Sequence, residues 1–493
     1  MKFSKYSEKS VAEIRQHDEY LTTSYEDGSV YKLNPLDSLK LLMASSILGE
    51  PKFYEDQIIE RFVDAVDFAL SYDFEETIKL AVKLRNEYYM RLNPALICVR
   101  SLMPRLNAER IGFNHSNPGV LKSCIEQCIL NPNDIKNQFN LYMFFNKTKN
   151  NLPNMLKKIW SKKLSQLDAY HIEKYKNTAK IIDLVRITHS NSELINELMK
   201  TGKVALKNTE LTFEKLRSNG KTWYEILNTT YVPHMALLKN LRGIFTEIAD
   251  KQVTENVLDQ LKNGVVNGMQ FPFRYFNAYK AIDSSDAPNK GMILDALEDC
   301  IDIALANMPK IKGITLCLSD NSGSTIERIN NEYSDTLVRD IDNLSSLITC
   351  LKSDYADLVY FSSKQQKMHI SKRNGILKQL LEFDKKWGGE DECMGTYLSP
   401  SLEDVVKLKT HYDNIFIYTD CQIMDDNILE LINKYRRTVN KNVNVFCVQT
   451  AGYSCSLLPE VEYRYANLTG WTGKESIYAN EVIDIWNKVD EKS

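Results

Sequence analysis

Apolar residues spaced three and four positions apart recur through residues 1–310, and this spacing predicts helix after helix. One such helix carries Leu39 and Met43 behind a cap at Asp37, and Asn93 is predicted to cap a second helix that has Pro94 at its first position. Further helical stretches are predicted at 77–92, 120–129, 137–146, 180–188, 191–200, 222–228, 234–249 and 255–263. Strand-like alternation is nearly absent, so stacked helix pairs, an α-solenoid, are favoured over a single bundle.

From about residue 311 the pattern changes to short apolar, β-branched runs that alternate with amphipathic helical stretches. This alternation predicts a mostly parallel sheet covered by helices on both faces, a doubly wound α/β domain. The predicted strands are 314–319, 358–362, 415–418 and 443–448, and the predicted helices are 333–352, 373–386, 400–410, 425–439 and 477–488. We therefore expect a multidomain fold, with a helical domain at 1–310 and an α/β domain at 311–493.

The bulk composition agrees with a globular protein of two domains. At 493 residues the chain is too long for one ordinary core, and its hydrophobic and charged fractions are 43% and 26%. Residues 1–9 lack the apolar stretch of a signal peptide, and no apolar run could span a bilayer, so we expect a cytoplasmic protein without a membrane partner. The ten cysteines are scattered and form no Cys-x-x-Cys, which favours reduced cysteines over a zinc site or disulfides.

The net charge of −3 hides an asymmetry along the chain. From residue 311 onward, 21 basic residues stand against 27 acidic ones, whereas residues 1–310 carry 41 against 38. The excess of positive charge is concentrated at 136–180, where ten lysines face only Asp168 and Glu173. Like charges repel unless a polyanion lies opposite, so this segment indicates a nucleic-acid surface, with a solvated helix face as the alternative.

Oxygen-bearing side chains follow two of the predicted strands. The sequence Asp320-Asn321-Ser322-Gly323-Ser324 comes directly after one strand, Asp420 follows another, and Thr396 lies in a glycine-rich loop between them. The carboxyl ends of parallel strands meet at one edge of a sheet, and oxygen ligands suit a hard divalent cation. Two carboxylates and three hydroxyls would leave the cation open to an acidic group of a partner. The alternative is that Asp320 and Ser322 only cap a helix and that Asp420 only ends a strand.

The Asp-x-Ser-x-Ser segment, the loop threonine and the strand-end aspartate resemble the metal-ion-dependent adhesion site of von Willebrand factor A domains. The order of these segments and their spacing match that family as well. The resemblance implies a site that binds rather than catalyses. It implies Mg²⁺ as the cation, with Mn²⁺ as the second choice, and Asp320, Ser322, Ser324, Thr396 and Asp420 as ligands.

A helical domain followed by such an A domain resembles the Ro autoantigen family, which is built on the TROVE module. The segments that carry this resemblance occur in the family's order, at 39–54, 183–189, 236–242, 271–274 and 320–324. The chain departs from the family at 388–396, which is longer than the family's Gly-Gly-Thr-Asp, and at 175–182, which is shorter. The resemblance implies a HEAT-like α-solenoid, closed into a ring, ahead of a von Willebrand factor A domain.

The same resemblance implies that the protein binds small noncoding Y-like RNA outside the ring and single-stranded ends of misfolded RNA in its hole. We expect phosphate contacts and an RNA-facing edge along the lysine-rich segment, with weaker candidates lining the hole. These residues are Lys162, Lys163, Lys174 and Lys176 for phosphate, Arg186 and His189 for the edge, and Lys239 and Arg242 for the hole. The aromatic residues Trp160, Tyr170 and Tyr175 could stack bases or belong to the core.

Two functions remain open at this point, and both are noncatalytic. The first is a monomeric RNA-binding scaffold in RNA quality control or degradation, with an exoribonuclease as a conceivable partner. The second is a protein-interaction scaffold whose A domain grips an acidic partner residue through its metal. An enzyme is the least favoured alternative, because the sequence contains no phosphate-binding glycine loop with Lys-Ser/Thr, no His-Glu-x-x-His helix and no nucleophile elbow.

Overall fold

The computed structural model describes residues 34–45, 56–88, 90–103, 118–146, 151–206, 211–268, 270–306, 308–327, 336–388, 395–450, 457–458, 463–469 and 475–491. Its contacts divide the chain into two compact units, and the main boundary falls between Val232 and Pro233. The change of sequence pattern at residue 311 coincides with the start of the first strand, inside the second unit. The division into domains at 1–310 and 311–493 stays a prediction. No helix in the described ranges is long and apolar enough to cross a membrane.

The first unit is helical in the elements that the structure describes. Its helices are α1 (Pro35–Ser45), α2 (Asp56–Tyr72), α3 (Phe74–Asn86), α4 (Leu92–Arg100), α5 (Pro118–Gln127), α6 (Pro132–Phe145), α7 (Asn154–Ser165), α8 (Ala169–Tyr175), α9 (Ile181–Thr188), α10 (Glu193–Thr201), α11 (Phe213–Ser218) and α12 (Trp223–Thr229). Side-chain caps mark several starts, as at α12, where Thr222 and Glu225 form a capping box. Two predicted caps were wrong. Asn34, not Asp37, accepts the first-turn N–H of α1, and Asn93 lies inside the first turn of α4.

Two buried ion pairs cross-link the helices of the first unit. Arg100 of α4 donates from Nε and Nη2 to the two carboxylate oxygens of Asp67 in α2, at 3.0 and 2.5 Å. Arg85 of α3 donates to Asp134 of α6 at 2.9 Å, and all four side chains are at most 6% exposed. Such pairs fix one arrangement of neighbouring helices, because separating either partner leaves a buried charge uncompensated.

The second unit begins with five helices, which are α13 (His234–Glu247), α14 (Lys251–Asn263), α15 (Val265–Gly268), α16 (Pro272–Asp283) and α17 (Lys290–Leu305). They pack against the α/β part of the same unit. In α16, Asn277 donates to Thr336 at 2.6 Å and Lys280 pairs with Asp340 at 2.5 Å. The carboxylate of Glu298 in α17 accepts the backbone N–H groups at the start of α19. These helices therefore belong physically with the sheet, although their sequence pattern groups them with the helices before them.

A six-stranded sheet in the order β3-β2-β1-β4-β5-β6 forms the centre of the second unit, and all its neighbours are parallel except β2 and β3. The strands are β1 (Ile311–Asp320), β2 (Ser353–Phe361), β3 (Gln365–Met368), β4 (Asn414–Thr419), β5 (Asn444–Gln449) and β6 (Tyr465–Thr469). The helices between them are α18 (Val338–Lys352), α19 (Ile376–Trp387), α20 (Ser399–Leu408), α21 (Ile428–Thr438) and α22 (Glu475–Asp490). The predicted fold class, a helical domain followed by a doubly wound α/β domain, is confirmed, and β3 and β6 were not predicted.

Candidate functional site

Asp320 ends the central strand β1 and is held in place by its own loop and by the neighbouring strand. Its carboxylate accepts the backbone N–H of Ser322 at 2.9 Å and the hydroxyl of Thr419 at 2.7 Å. The hydroxyls of Ser322 and Ser324 lie 3.2 Å apart. Burial raises the pKa of Asp320 to about 7, and the negative charge of Asp420 contributes in the same direction. The Asp-x-Ser-x-Ser segment thus gathers one buried carboxylate and two hydroxyls at the carboxyl end of β1.

Asp420 and Thr396 lie on two loops that hydrogen bonds join together. Asp420 follows β4, is 2% exposed, and accepts the backbone N–H of Gln422 at 2.9 Å. The backbone N–H of Met424 donates to the carbonyl oxygen of Thr396 at 3.0 Å, and Thr396 is 3% exposed. The backbone N–H of Leu398 donates to Asp425 on the same loop. The structure therefore brings the loop of Thr396 against the loop of Asp420.

The donor set fits a hard divalent cation. Asp320 and Asp420 are buried near one another, and their mutual repulsion would be relieved by a positive charge between them. Carboxylate and hydroxyl oxygens are the ligands that Mg²⁺ and Mn²⁺ accept. Among the described residues, no three His, Cys, Asp or Glu side chains form a metal-binding cluster by themselves, so the hydroxyls of Ser322, Ser324 and Thr396 would have to be part of the ligand set.

Sequence reasoning missed a further buried carboxylate at this edge. Asp342 lies in α18, is 0% exposed, and has no hydrogen-bond partner of good geometry among the described residues, although the Thr450 hydroxyl lies close enough to stabilise its charge in part. Burial raises the pKa of Asp342 well above its ordinary value, the Thr450 hydroxyl offsets part of this, and the charges of Asp320 and Asp420 add to the rise. In the sequence, Asp342 stands between Ile341 and Asn343, two residues after Asp340, and nothing in this local pattern marks it as buried.

The lysine-rich segment forms α7, α8 and the turns around them, and several of its charges are already engaged. Lys162 is 55% exposed and pairs with Glu126 at 3.3 Å, while Lys163 donates to the carbonyl oxygen of Ile129 at 3.0 Å. Lys176 pairs with Glu173 at 2.5 Å, and both of these side chains are largely covered. Lys162 therefore offers more charge to solvent than Lys176 does.

Lys174 lies between two tyrosines on the surface of α8. Its ammonium nitrogen is 5.6 Å from the ring centre of Tyr170 and 5.3 Å from that of Tyr175, and both rings are half-buried. His171 stacks on Tyr175 with a centroid distance of 6.4 Å. Trp160, by contrast, is 0% exposed and donates from its indole to Gln138. Of the three aromatic candidates, Trp160 is a core residue and the two tyrosines remain available for stacking.

The remaining candidates are exposed at helix surfaces. Arg186 of α9 lies 3.6 Å from Asp183, with both side chains more than 60% exposed. His189 is exposed and ends α9 with a left-handed backbone, φ 52°. Since α9 packs on α7, these residues share one part of the first unit with the lysines. Lys239 and Arg242 are exposed on α13 in the second unit.

Comparisons with known proteins agree with this architecture. The TROVE domain family model matches residues 191–374. Telomerase protein component 1 of Mus musculus is 36% identical over 75 residues, which are 15% of this chain and only 3% of that protein's length. The crystal structure of the Ro (RSR) protein of Deinococcus radiodurans covers 92% of this chain and 99% of its own, with a TM-score of 0.58 at 11% identity. At that identity the likeness shows a shared fold.

Proposed function

We propose that this chain, part of which matches the TROVE domain family model and which shares the fold of a Ro (RSR) protein, binds small structured noncoding RNA together with single-stranded RNA ends. In this proposal it is a noncatalytic scaffold in RNA quality control or degradation. The observation that carries the proposal is the surface formed by Lys162, Tyr170, Lys174 and Tyr175, which we call the basic surface. This surface joins solvent-facing positive charge to aromatic rings.

The basic surface suits RNA because its two kinds of group act on different parts of the polymer. Lysine ammonium groups attract phosphates without regard to sequence, and each contact releases counterions. Half-buried tyrosines present ring faces on which unpaired bases stack, at about 1–3 kcal/mol per base. The ammonium group of Lys174 lies within 5.6 Å of both ring centres, so positive charge and ring faces occur together. A protein with this surface would recognise shape and free ends rather than one sequence, as RNA recognition commonly does.

The test is the binding of a hairpin RNA with a single-stranded 3′ tail, compared with the same hairpin without a tail, at several salt concentrations. We expect the tailed RNA to bind more tightly and log K to fall linearly with log salt. Equal affinity for both RNAs would contradict the role of free ends. An affinity that does not depend on salt would contradict phosphate recognition altogether.

The α/β part of the second unit supports a second part of the proposal, a divalent cation at the carboxyl edge of the sheet. The supporting observation is that Asp320 and Asp420 are both buried at adjacent strand ends. Asp320, Asp420 and the hydroxyls of Ser322, Ser324 and Thr396 would hold Mg²⁺ or Mn²⁺. When bound, the cation would neutralise the carboxylates and offer a coordination position to an oxygen from outside. Loss of Mn²⁺ binding on Asp320→Ala is the expected outcome in a titration followed by electron paramagnetic resonance.

A further inference from the structure

Asp342 is a buried carboxylate to which the described residues bring no positive charge. It is 0% exposed, and the Thr450 hydroxyl is the one described group that offsets part of the cost of its charge. The charges that act on it from the described residues are those of Asp320 and Asp420, which are also negative. A buried carboxylate is costly unless hydrogen bonds or a positive charge compensate it. The fold therefore keeps a carboxylate whose charged form a nearby cation would stabilise.

The neighbour of Asp342 fixes where this part of α18 lies. Asn343 accepts from the hydroxyl of Ser319 and from the side-chain amide of Asn321, both at 2.8 Å, and donates back to Asn321 at 2.9 Å. Ser319 and Asn321 flank Asp320 at the end of β1. The first turns of α18 are thus tied to the loop that would hold the metal.

The helix geometry then gives the direction of Asp342. Thr349, seven residues further along α18, makes a hydrogen bond with the hydroxyl of Tyr418 in β4 at 2.6 Å. Seven residues are nearly two turns of about 3.6 residues, so Asp342 and Thr349 share one face of the helix. Tyr418 is two residues before Asp420, which follows β4, and the charge of Asp420 acts on Asp342. Asp342 therefore faces the end of β4 that carries Asp420.

We propose that Asp342 supplies a third negative charge to the divalent cation site, from a position behind Asp320 and Asp420 and without being a direct ligand. A direct role is excluded because no three acidic side chains of the described residues converge as a metal cluster. This inference rests on the proposed metal site. Asp342 is then a positioning residue. Its negative charge attracts the cation, and its place behind Asp320 and Asp420 affects how those ligands hold the cation.

A third carboxylate changes the ligand that the bound cation would take. Mg²⁺ with the two ligand carboxylates is formally neutral, whereas Asp342 brings the buried group to a net negative charge. An acidic side chain of a partner would then be attracted by the cation but repelled by the net negative charge of the site. We therefore assign the open coordination position to a neutral oxygen, such as water, a hydroxyl or an amide carbonyl.

The test compares Mn²⁺ binding to the full chain and to Asp342→Asn, which keeps the shape and removes the charge. We expect about 10–100-fold weaker Mn²⁺ binding, the usual cost of losing a group behind the ligands. The metal-free variant should also have a higher Tm than the metal-free wild type, because its buried charge is gone. Asp342→Glu should restore part of the affinity. Asp384→Asn removes a half-buried carboxylate of α19 that accepts from Asn343 at 3.3 Å, and serves as the control, with affinity within about twofold of wild type.

The outcomes separate the two proposals. Wild-type protein that binds no Mn²⁺ overturns the metal site and this inference together. Wild-type protein that binds Mn²⁺, with an Asp342→Asn variant of equal affinity, overturns the inference alone. If Asp342→Asn fails to fold by circular dichroism, Asp342→Ala takes its place, and unchanged Mn²⁺ affinity in that variant has the same meaning.

Discussion

The contribution of the basic surface to RNA binding can be worked out for two of its lysines. Lys162 is 55% exposed, so little of its charge is lost to its ion pair with Glu126. Lys174 lies over the rings of Tyr170 and Tyr175 and is exposed on its other side. Replacing both with glutamine removes two positive charges and leaves the apolar stems largely in place. The variant Lys162→Gln with Lys174→Gln therefore isolates the phosphate-binding component.

The expected size follows from counterion release. Each phosphate contact on single-stranded RNA contributes about −0.7 to the slope of log K against log salt, so losing two contacts should flatten the slope by about 1.4. At a salt concentration of about 0.15 M this corresponds to an affinity loss of roughly 15-fold. Loss of the cation–π contacts of Lys174, at about 0.5–1 kcal/mol for an exposed site, would add a factor of about 2–5.

Fluorescence anisotropy of a tailed hairpin RNA, repeated at four or more salt concentrations, measures both quantities. Lys79→Gln is the matched control, because it removes one lysine charge of the same unit that Glu75 and Glu76 already neutralise at 2.9 and 2.8 Å. We expect that variant to keep the wild-type slope. A double variant with the wild-type slope, or a control that loses as much affinity as the double variant, would refute the assignment of phosphate contacts to this surface.

Two further predictions concern stability. Burial raises the pKa of Asp320 to about 7, so the folded chain keeps a proton that the unfolded chain releases, and the Tm of the metal-free protein should fall between about pH 5 and 7. In calorimetry with a chelator, the Tm of Asp320→Asn should depend less on pH over this range. A variant whose Tm falls with pH as the wild type does would contradict the raised pKa of Asp320. Arg100→Met leaves Asp67 buried without its partner and should lower the free energy of unfolding by about 3–5 kcal/mol in a denaturant titration. The double variant Asp67→Asn with Arg100→Met should lose less free energy of unfolding than Arg100→Met alone. A loss equal to the sum of the two single-variant losses would contradict the pairing.

The strands that the sequence predicted are those buried on both faces. The runs at 314–319, 358–362, 415–418 and 443–448 are mostly apolar, because helices cover the sheet on each side, and each lies in or across the boundary of a strand. The two edge strands were missed. β3 has the sequence Gln-Gln-Lys-Met and β6 has Tyr-Ala-Asn-Leu-Thr, and neither forms an apolar run. Their pairing depends on the neighbouring strand rather than on their own composition.

Local motifs predicted more of the candidate site than long-range contacts did. The Asp-x-Ser-x-Ser segment and Asp420 could be placed because each follows a recognisable strand. The partner of Lys162 could not be predicted in the same way. Glu126 lies 36 residues before Lys162, so only the folded chain shows that the two pair, whereas Glu173 is three residues from Lys176 and was counted only as a minority charge. The count of ten lysines against two acidic residues therefore overestimated the positive charge that is exposed to solvent.

Asp342 shows why a motif alone does not determine what a site binds. With two carboxylates and three hydroxyls, the site predicted from sequence would present a neutral cation centre, which favours an acidic ligand from a partner. Asp342 is 22 residues beyond Asp320 and belongs to a helix, so no local pattern connects it to the metal. Only the packing of α18 on β1 and β4 brings its charge to the same edge. Because the energy of a buried site depends on every charge nearby and not only on its ligands, the third carboxylate shifts the expected ligand from an acid to a neutral oxygen.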